Sequence, residues 1–303
     1  MISLIVHGGA WNIPDSMLKA HRDGVRTSVE TGWKILSGGG SAIDAVEHSI
    51  RAMELDGTFD AGKGSHLNAD GFVELDASIM DGGSYRCGAV GAVRKIMHPI
   101  SLARKIMEES EHILLVGDGA ERFAAENGVP LCDPAELVTE RERTLWRSVK
   151  GRTGFHSRQA FTTQAGDTVG AVALDARGNI CVGTSTGGTL NKFPGRVGDS
   201  PLIGCGSYAE NAVGGVSTTG WGEGMIKVVL AKSIIDHMEM NFDGGGDPRQ
   251  AADFGIELLK RKVDGRGGVI VLDRGGRAGV AFSTPRMAFA LMNEELAEPR
   301  VEV

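Results

Sequence analysis

The stretch GDTVGAVALD, residues 166 to 175, sets an apolar strand directly behind an aspartate and a threonine. What precedes it, WRSVKGRTGFHSRQAFTTQA (146 to 165), has no sustained apolar period. TVGAVAL (168 to 174) is followed by the turn signal DARGN and by a second strand pattern, ICVGTST (180 to 186), so the two read as a hairpin. GVIVLD (268 to 273) and AGVAFST (278 to 284), joined by RGGR, read as another. Hairpins imply antiparallel sheet.

Working outward, Ser3 to Val6 reads as a buried strand. A helix is expected from Ser16 to Leu36, closed by Gly38, Gly39 and Gly40. Ser41 and Asp44 suit a capping box for a helix that puts Ile43, Val46, Ile50 and Met53 on one face. Strands follow at Val73 to Ile79, Cys87 to Val93 and HILLV (112 to 116). Helices are expected at Pro99 to Met107, Gly119 to Glu126, Gly222 to Met238 and Pro248 to Arg261. Helices grouped in sequence beside hairpin sheet predict an α+β layered sandwich.

The chain has 303 residues, 41% hydrophobic and 23% charged, which is the composition of a globular protein with a large core. A net charge of −7 disfavours nucleic acid or an anionic membrane as partner and leaves a small molecule. The four cysteines, Cys87, Cys132, Cys181 and Cys205, form no C-x-x-C pair, which suggests neither a zinc site nor a disulfide framework. With no signal-like or membrane-spanning apolar run in the sequence, a cytoplasmic location is expected.

The segment from about Thr139 to Gly166 carries six Lys or Arg against two Glu and reads as a structureless arm. A surface insertion or linker explains it as well as a tail released by cleavage does. Cleavage between Asp167 and Thr168 would give Thr168 a free α-amine with a pKa of about 7.7 to 8.0, a base adjoining its own hydroxyl. Taken alone, a strand-initial threonine is far more often just a β-branched strand residue.

Eight motifs stand in order: HGGA (7 to 10), GGSAIDAVE (39 to 47), DAGKGS (60 to 65), ELDASIMDG (74 to 82), GDTVGAVALD (166 to 175), GTSTGG (183 to 188), GRVGDSPLIG (195 to 204) and STTGWGEG (217 to 224). Together they resemble the plant-type asparaginase and isoaspartyl peptidase family of N-terminal nucleophile hydrolases. The resemblance implies a four-layer αββα sandwich in a single domain, self-cleaved into an α chain (1 to 167) and a β chain (168 to 303) that pair as a dimer of αβ heterodimers. It implies hydrolysis of the side-chain amide of L-asparagine and of β-aspartyl dipeptides through an acyl-enzyme on Thr168. Thr186 would support that nucleophile, and Thr219 and Gly220 would form the oxyanion hole. Arg196 would bind the substrate α-carboxylate and Asp199 its α-ammonium, with the Gly222 carbonyl beside it. No cofactor is implied for the chemistry. A structural sodium would be held by main-chain carbonyls of Met53, Glu54, Asp56, Phe59, Ala61 and Lys63, in a segment that otherwise reads as a helix end and turn.

Three residues depart from the family pattern: Asp60 where Asn is usual, Trp221 within STTGWGEG, and Trp11 after HGGA. Glycosylasparaginase, the sister branch, cleaves the same amide bearing a sugar; DAGKG and the missing leader speak against it. A non-catalytic binding protein, suggested by the 45 glycines, lacks any phosphate-binding glycine motif.

Overall fold

The computed structural model describes residues 1–152, 155, 168–242 and 246–303. The strands, in chain order, are β1 (Ser3–Trp11), β2 (Leu75–Asp81), β3 (Cys87–Val93), β4 (Leu114–Val116), β5 (Val169–Leu174), β6 (Ile180–Thr186), β7 (Ser207–Glu210), β8 (Gly214–Gly220), β9 (Gly267–Asp273), β10 (Ala278–Phe282), β11 (Arg286–Asn293) and β12 (Arg300–Glu302). They form an eight-stranded sheet, β12-β11-β1-β5-β6-β2-β3-β4, and a four-stranded sheet, β10-β9-β8-β7. Among the described strands, β3 and β4 pair in parallel and the other ladders are antiparallel.

β5 is buried along its whole length, and the alternation of side chains along it assigns its two faces. Ala171 and Ala173 turn toward α1 (Leu18–Ser37), α2 (Ala42–Asp56) and α3 (Pro99–Glu109), in a core with Val29, Val46, Ile50 and Leu102. Val172 and Leu174 turn the other way, into a layer between the sheets with Ile5, Val182, Ile270 and Leu272. The outer face of the small sheet, with Val216, Val269 and Val271, is covered by α7 (Leu230–Phe242) and α8 (Pro248–Val263) through Leu230, Ile234, Met238 and Leu259. The result is the four-layer αββα sandwich. Among the described residues no helix is long and apolar enough to cross a membrane.

Two sequence expectations are corrected. The arm expected to be structureless from Thr139 begins as a helix, α5 (Glu140–Val149), after α4 (Gly117–Glu126) and a short 3-10 turn (Pro134–Leu137). The Thr139 side chain caps it, and Glu142 is buried where its Oε2 meets His66 Nδ1 at 2.5 Å. This ion pair joins a short apolar face of Leu145, Trp146 and Val149 in docking the helix. Secondly, the helix expected from Gly222 to Met238 is two, α6 (Gly222–Val228) and α7, divided at Val229, whose φ of 49° lies in the left-handed region.

One buried carboxylate ties three elements of this frame together. Glu54, fully buried near the end of α2, accepts from Ile100 N at 3.1 Å and Ser185 Oγ at 2.7 Å through Oε1, and its Oε2 lies 3.1 Å from His98 Nδ1. It thereby satisfies an otherwise unpaired amide of the first turn of α3 and pins β6. Glu54→Ala leaves those groups buried and unpaired, so a loss of about 2 to 4 kcal/mol is expected in urea unfolding. Glu54→Gln, which still accepts from Ile100 N, is expected to lose less.

Candidate active site

Thr168 lies immediately ahead of β5, where the strand enters the sheet between β1 and β6. The pairing sets Gly8 opposite Val169 on one side and Val169 opposite Ser185 on the other. The Thr168 hydroxyl is nearly buried and donates to Thr186 Oγ1 at 3.1 Å. Thr186 Oγ1 also accepts from Gly188 N at 2.9 Å, which fixes its rotamer. Gly8 has no room for a side chain, since a Cβ there would sit 2.3 Å from the Phe59 ring.

β8 brings the third threonine from the other sheet. Thr219 is fully buried, and its hydroxyl has no hydrogen-bond partner among the described residues. A buried hydroxyl left bare is costly unless it awaits a ligand atom, and a developing oxyanion is such an atom. Gly220, next in the strand, has φ of 146°, and a Cβ would meet Arg266 O at 2.6 Å.

Asp199, Arg196 and Gly222 converge. Asp199 is buried, with Oδ2 accepting from Thr218 Oγ1 at 3.0 Å. Burial pushes its pKa up to about 6, against the pull of Thr218 and Arg196. A Cβ on Gly222 would lie 2.5 Å from Asp199 Oδ1 and 3.1 Å from Arg196 Nη2, so glycine keeps this corner open. Arg196 donates from Nε and Nη2 to the two carboxylate oxygens of Glu223, each at 2.9 Å. Its side-on fork is thus occupied, and the end-on pair, Nη1 and the second Nη2 hydrogen, is what remains to offer a substrate carboxylate.

The loop carrying these groups is fastened to the start of β2. Gly195 N donates to Glu74 Oε2 at 2.9 Å, Gly198 N to Asp76 Oδ2 at 3.3 Å, and the buried Lys192 donates to Glu74 O at 2.8 Å. Glu74, Asp76, Lys192 and Glu223 were not singled out from sequence, although three of them lie inside the motifs ELDASIMDG and STTGWGEG. Asp167 lies outside the described residues.

Asp60 borders the nucleophile through its main chain, its carbonyl accepting from Gly187 N at 2.8 Å. Its Oδ1 accepts from His66 N at 2.8 Å, and its Oδ2, buried and without a hydrogen-bond partner among the described residues, lies 3.9 Å from His66 Nε2. Burial raises its pKa to about 7; His66 and Lys192 oppose this and Glu142 adds to it. Trp11 is buried and its Nε1 is likewise unpartnered. Trp221 caps the start of α6, partly exposed.

A family model described as Asparaginase matches residues 1–300. The chain is 45% identical over 294 residues to the isoaspartyl peptidase/L-asparaginase of Xenopus laevis, covering 96% of this chain and 92% of that protein. It is 43% identical over 289 residues to the protein of that name from Danio rerio, covering 95% and 91%. For the Mus musculus protein, also so named, the figures are 44% over 288 residues, 95% and 86%. The chain belongs to the asparaginase family.

The sodium expected from the asparaginase resemblance fits the geometry of its segment. Met53, Glu54 and Asp56 lie in the last turn of α2, where helix carbonyls lack intrahelical partners. The following turn folds back, so that Lys63 N donates to Glu54 O at 2.8 Å, and it thus returns the segment holding Phe59, Ala61 and Lys63 to the helix end. Among the described residues no cluster of His, Cys, Asp and Glu suits a metal held by side chains.

The Arg196–Glu223 pair makes a prediction. Glu223→Ala should leave Arg196 free to turn away, raising KM for L-asparagine on the order of tenfold with a smaller change in kcat. Arg196→Lys should lose about 100-fold in kcat/KM, because an ammonium reproduces neither fork. Steady-state kinetics on processed protein checks both.

Proposed function

We propose that this hydrolase of the asparaginase family cuts the side-chain amide of L-asparagine and of β-aspartyl dipeptides, using Thr168 as an N-terminal nucleophile freed by autoproteolysis. The observation that carries the reading is the Thr168–Thr186 hydroxyl pair, in company with the bare Thr219 hydroxyl on β8 and with Asp199 bonded to the neighbouring Thr218. The relatives' printed names support the substrates.

In the precursor, the Thr168 hydroxyl adds to the Asp167 carbonyl, the peptide nitrogen departs as the new α-amine, and water hydrolyses the resulting ester. The products are an α chain of residues 1 to 167 and a β chain of residues 168 to 303. In the mature enzyme that amine takes the hydroxyl proton as Oγ1 attacks the substrate amide, while Thr186 Oγ1 holds the nucleophile's rotamer. Thr219 Oγ1 and Gly220 N receive the tetrahedral oxyanion. The amine passes its proton to the departing nitrogen, then takes one from the water that releases aspartate. Arg196 grips the α-carboxylate and Asp199 the α-ammonium, with the Gly222 carbonyl beside it. A sodium held by the carbonyls of Met53, Glu54, Asp56, Phe59, Ala61 and Lys63 would stiffen the turn that presents Asp60. Assembly as a dimer of αβ heterodimers in the cytoplasm completes the reading.

Glycosylasparagine is the second substrate to test, since Trp11 adds an aromatic wall beside the site. L-asparagine, a β-aspartyl dipeptide and glycosylasparagine compared on one preparation decide among them.

Processing is the first check. Purified protein should give two masses, the smaller chain beginning Thr-Val-Gly, and Thr168→Ala should stay whole and inactive. Hydrolysis of β-aspartyl dipeptides at the native rate by the alanine variant would sink the mechanism.

The acid limb is the second. The Asp199 pKa is raised to about 6, so below that pH its neutral form dominates and the ammonium partner is lost. The value of kcat/KM should therefore fall as pH drops through about 6, chiefly through KM. The kcat limb should instead follow the Thr168 amine, expected near its free value of about 7.7 to 8.0. Removing the Asp60 charge in Asp60→Asn should move that second limb to lower pH, as pH–rate profiles would show.

A further inference from the structure

Lys192 carries a charge that the chemistry just described does not use. It is 3% exposed, and its Nζ donates to Glu74 O at 2.8 Å. Among the described residues that is the ammonium's only hydrogen bond, although it has three N–H groups to offer. The two neighbouring carboxylates are engaged elsewhere. Glu74 accepts from Arg94 Nε at 3.2 Å and Gly195 N at 2.9 Å, and Asp76 accepts from Ala92 N at 2.8 Å and Gly198 N at 3.3 Å. A buried ammonium with no carboxylate in contact is costly unless a ligand supplies one.

Gly188 shows where such a ligand would sit. A Cβ there would lie 2.9 Å from Lys192 Nζ and 3.3 Å from Arg196 Nη1, so the two cations border one small region. That region adjoins the nucleophile, because Gly188 N donates to Thr186 Oγ1, which accepts from the Thr168 hydroxyl. Nη1 is also the guanidinium nitrogen that Glu223 leaves free, since Glu223 takes Nε and Nη2. Residue 188 must be glycine on two counts, its φ of 85° and the nearness of the ammonium.

We propose that Lys192 is a second cation of the α-carboxylate subsite: its ammonium donates to the substrate carboxylate that Arg196 Nη1 also meets. The inference rests on the hydrolase reading above and deepens it.

Charge balance supports the assignment. Burial holds the ammonium below the usual lysine range, opposed by Asp76, and Arg196 pushes in the same direction as burial. Two buried cations that border one region repel until an anion enters, and each then gains a partner. A neutral carboxamide relieves neither. The two donors are also complementary in shape. A guanidinium fork fixes the plane of a carboxylate, whereas an ammonium is a compact charge on a flexible stem that can turn an N–H to the oxygen left over.

The direct test is a crystal structure of the processed native protein with L-aspartate bound. Lys192 Nζ should lie about 3 Å from an α-carboxylate oxygen. A carboxylate held by Arg196 with Lys192 Nζ more than about 4 Å away overturns the assignment. Kinetics gives a second reading. Lys192→Met keeps most of the side-chain stem and removes the charge, so KM for L-asparagine should rise roughly 10- to 100-fold, with kcat changed less than about threefold. The α-amide of L-asparagine, a poor substrate for the native enzyme, should lose less than about threefold more in the variant. Lys192→Arg, which restores the charge, should recover part of the affinity. A lysine that only ties down Glu74 O gives a different pattern: both substrates lose equally in Lys192→Met while KM for L-asparagine stays within about twofold, and that outcome also overturns the assignment. Should the methionine variant fail to fold or to process, the L-aspartate complex of the native protein still decides. Failure of the hydrolase reading looks different: no cleavage at Thr168, no turnover of L-asparagine and no L-aspartate at Arg196.

Discussion

A hydrogen-bonded bridge centred on Ser217 ties the two sheets together across the strand that follows Thr168. His7 Nε2 on β1 meets Ser217 Oγ on β8 at 2.8 Å, and Ser217 Oγ in turn meets Thr184 Oγ1 on β6 at 3.1 Å. β5 lies between β1 and β6, and it passes under this bridge only because residue 170 is glycine. A Cβ there would lie 2.1 Å from Ser217 Oγ and 2.4 Å from His7 Nε2. With the sheets held so closely, side-chain alternation along β8 puts Thr219 on the same face as Ser217, toward the strand that Thr168 begins. Burial drives the His7 pKa down to about 3, so the imidazole is neutral at any working pH and the bridge does not titrate with catalysis.

The substrate-facing loop depends on a second kind of constraint, paired charges around an anchored backbone. Burial holds Lys192 below the usual lysine range, with Asp76 and Glu74 opposing that shift and Arg196 adding to it. Glu74 accepts from Gly195 N and is gripped on its other side by Arg94. Glu74, just ahead of β2, and Asp76 within it therefore hold the main chain on either side of Arg196. A guanidinium and a carboxylate kept in place by a sheet strand need little reorganisation when a zwitterion arrives, which is where electrostatic recognition gains most.

These same contacts explain what was legible in the sequence. The two hairpins could be read because their turns are chemically self-contained. Asp175 Oδ1 accepts from Arg177 N and Asn179 N, and Asp273 Oδ1 accepts from Gly275 N and Arg277 N, all within five residues. β8 and β11 were not read. GGVSTTG has weak strand propensity, and β8 is ordered by β9, some fifty residues on; β11 is ordered by β1 at the far end of the chain. The helix after Thr139 was mistaken for an arm because its apolar face is short, Leu145, Trp146 and Val149, and because it also buries a carboxylate, Glu142, against a histidine 76 positions earlier. In the site, Thr168, Thr186, Thr219, Arg196 and Asp199 came from motif resemblance. Their supports, Glu74, Asp76, Lys192 and Glu223, read as ordinary surface charge until the fold removes them from water.

The site therefore divides its labour along the chain. In the proposed reading the groups assigned to the aspartyl half of a substrate, Arg196, Asp199, Gly222, Thr219 and Gly220, all lie after Thr168, on loops and strands braced by the sheets. Gly8 and Asp60, which border Thr168 and Thr186, lie before it. The proposed cleavage ahead of Thr168 would leave both halves in place, because β1 and β5 pair from Ser3 opposite Leu174 to Gly8 opposite Val169. A carboxylate at position 60 fits such a division. Burial pushes its pKa up to about 7 while His66 opposes the shift, so the negative charge that it brings near Thr168 is smaller than that of an exposed carboxylate. The departure at residue 60 thus leaves the Thr168–Thr186 pair and the Asp199–Thr218 bond in place.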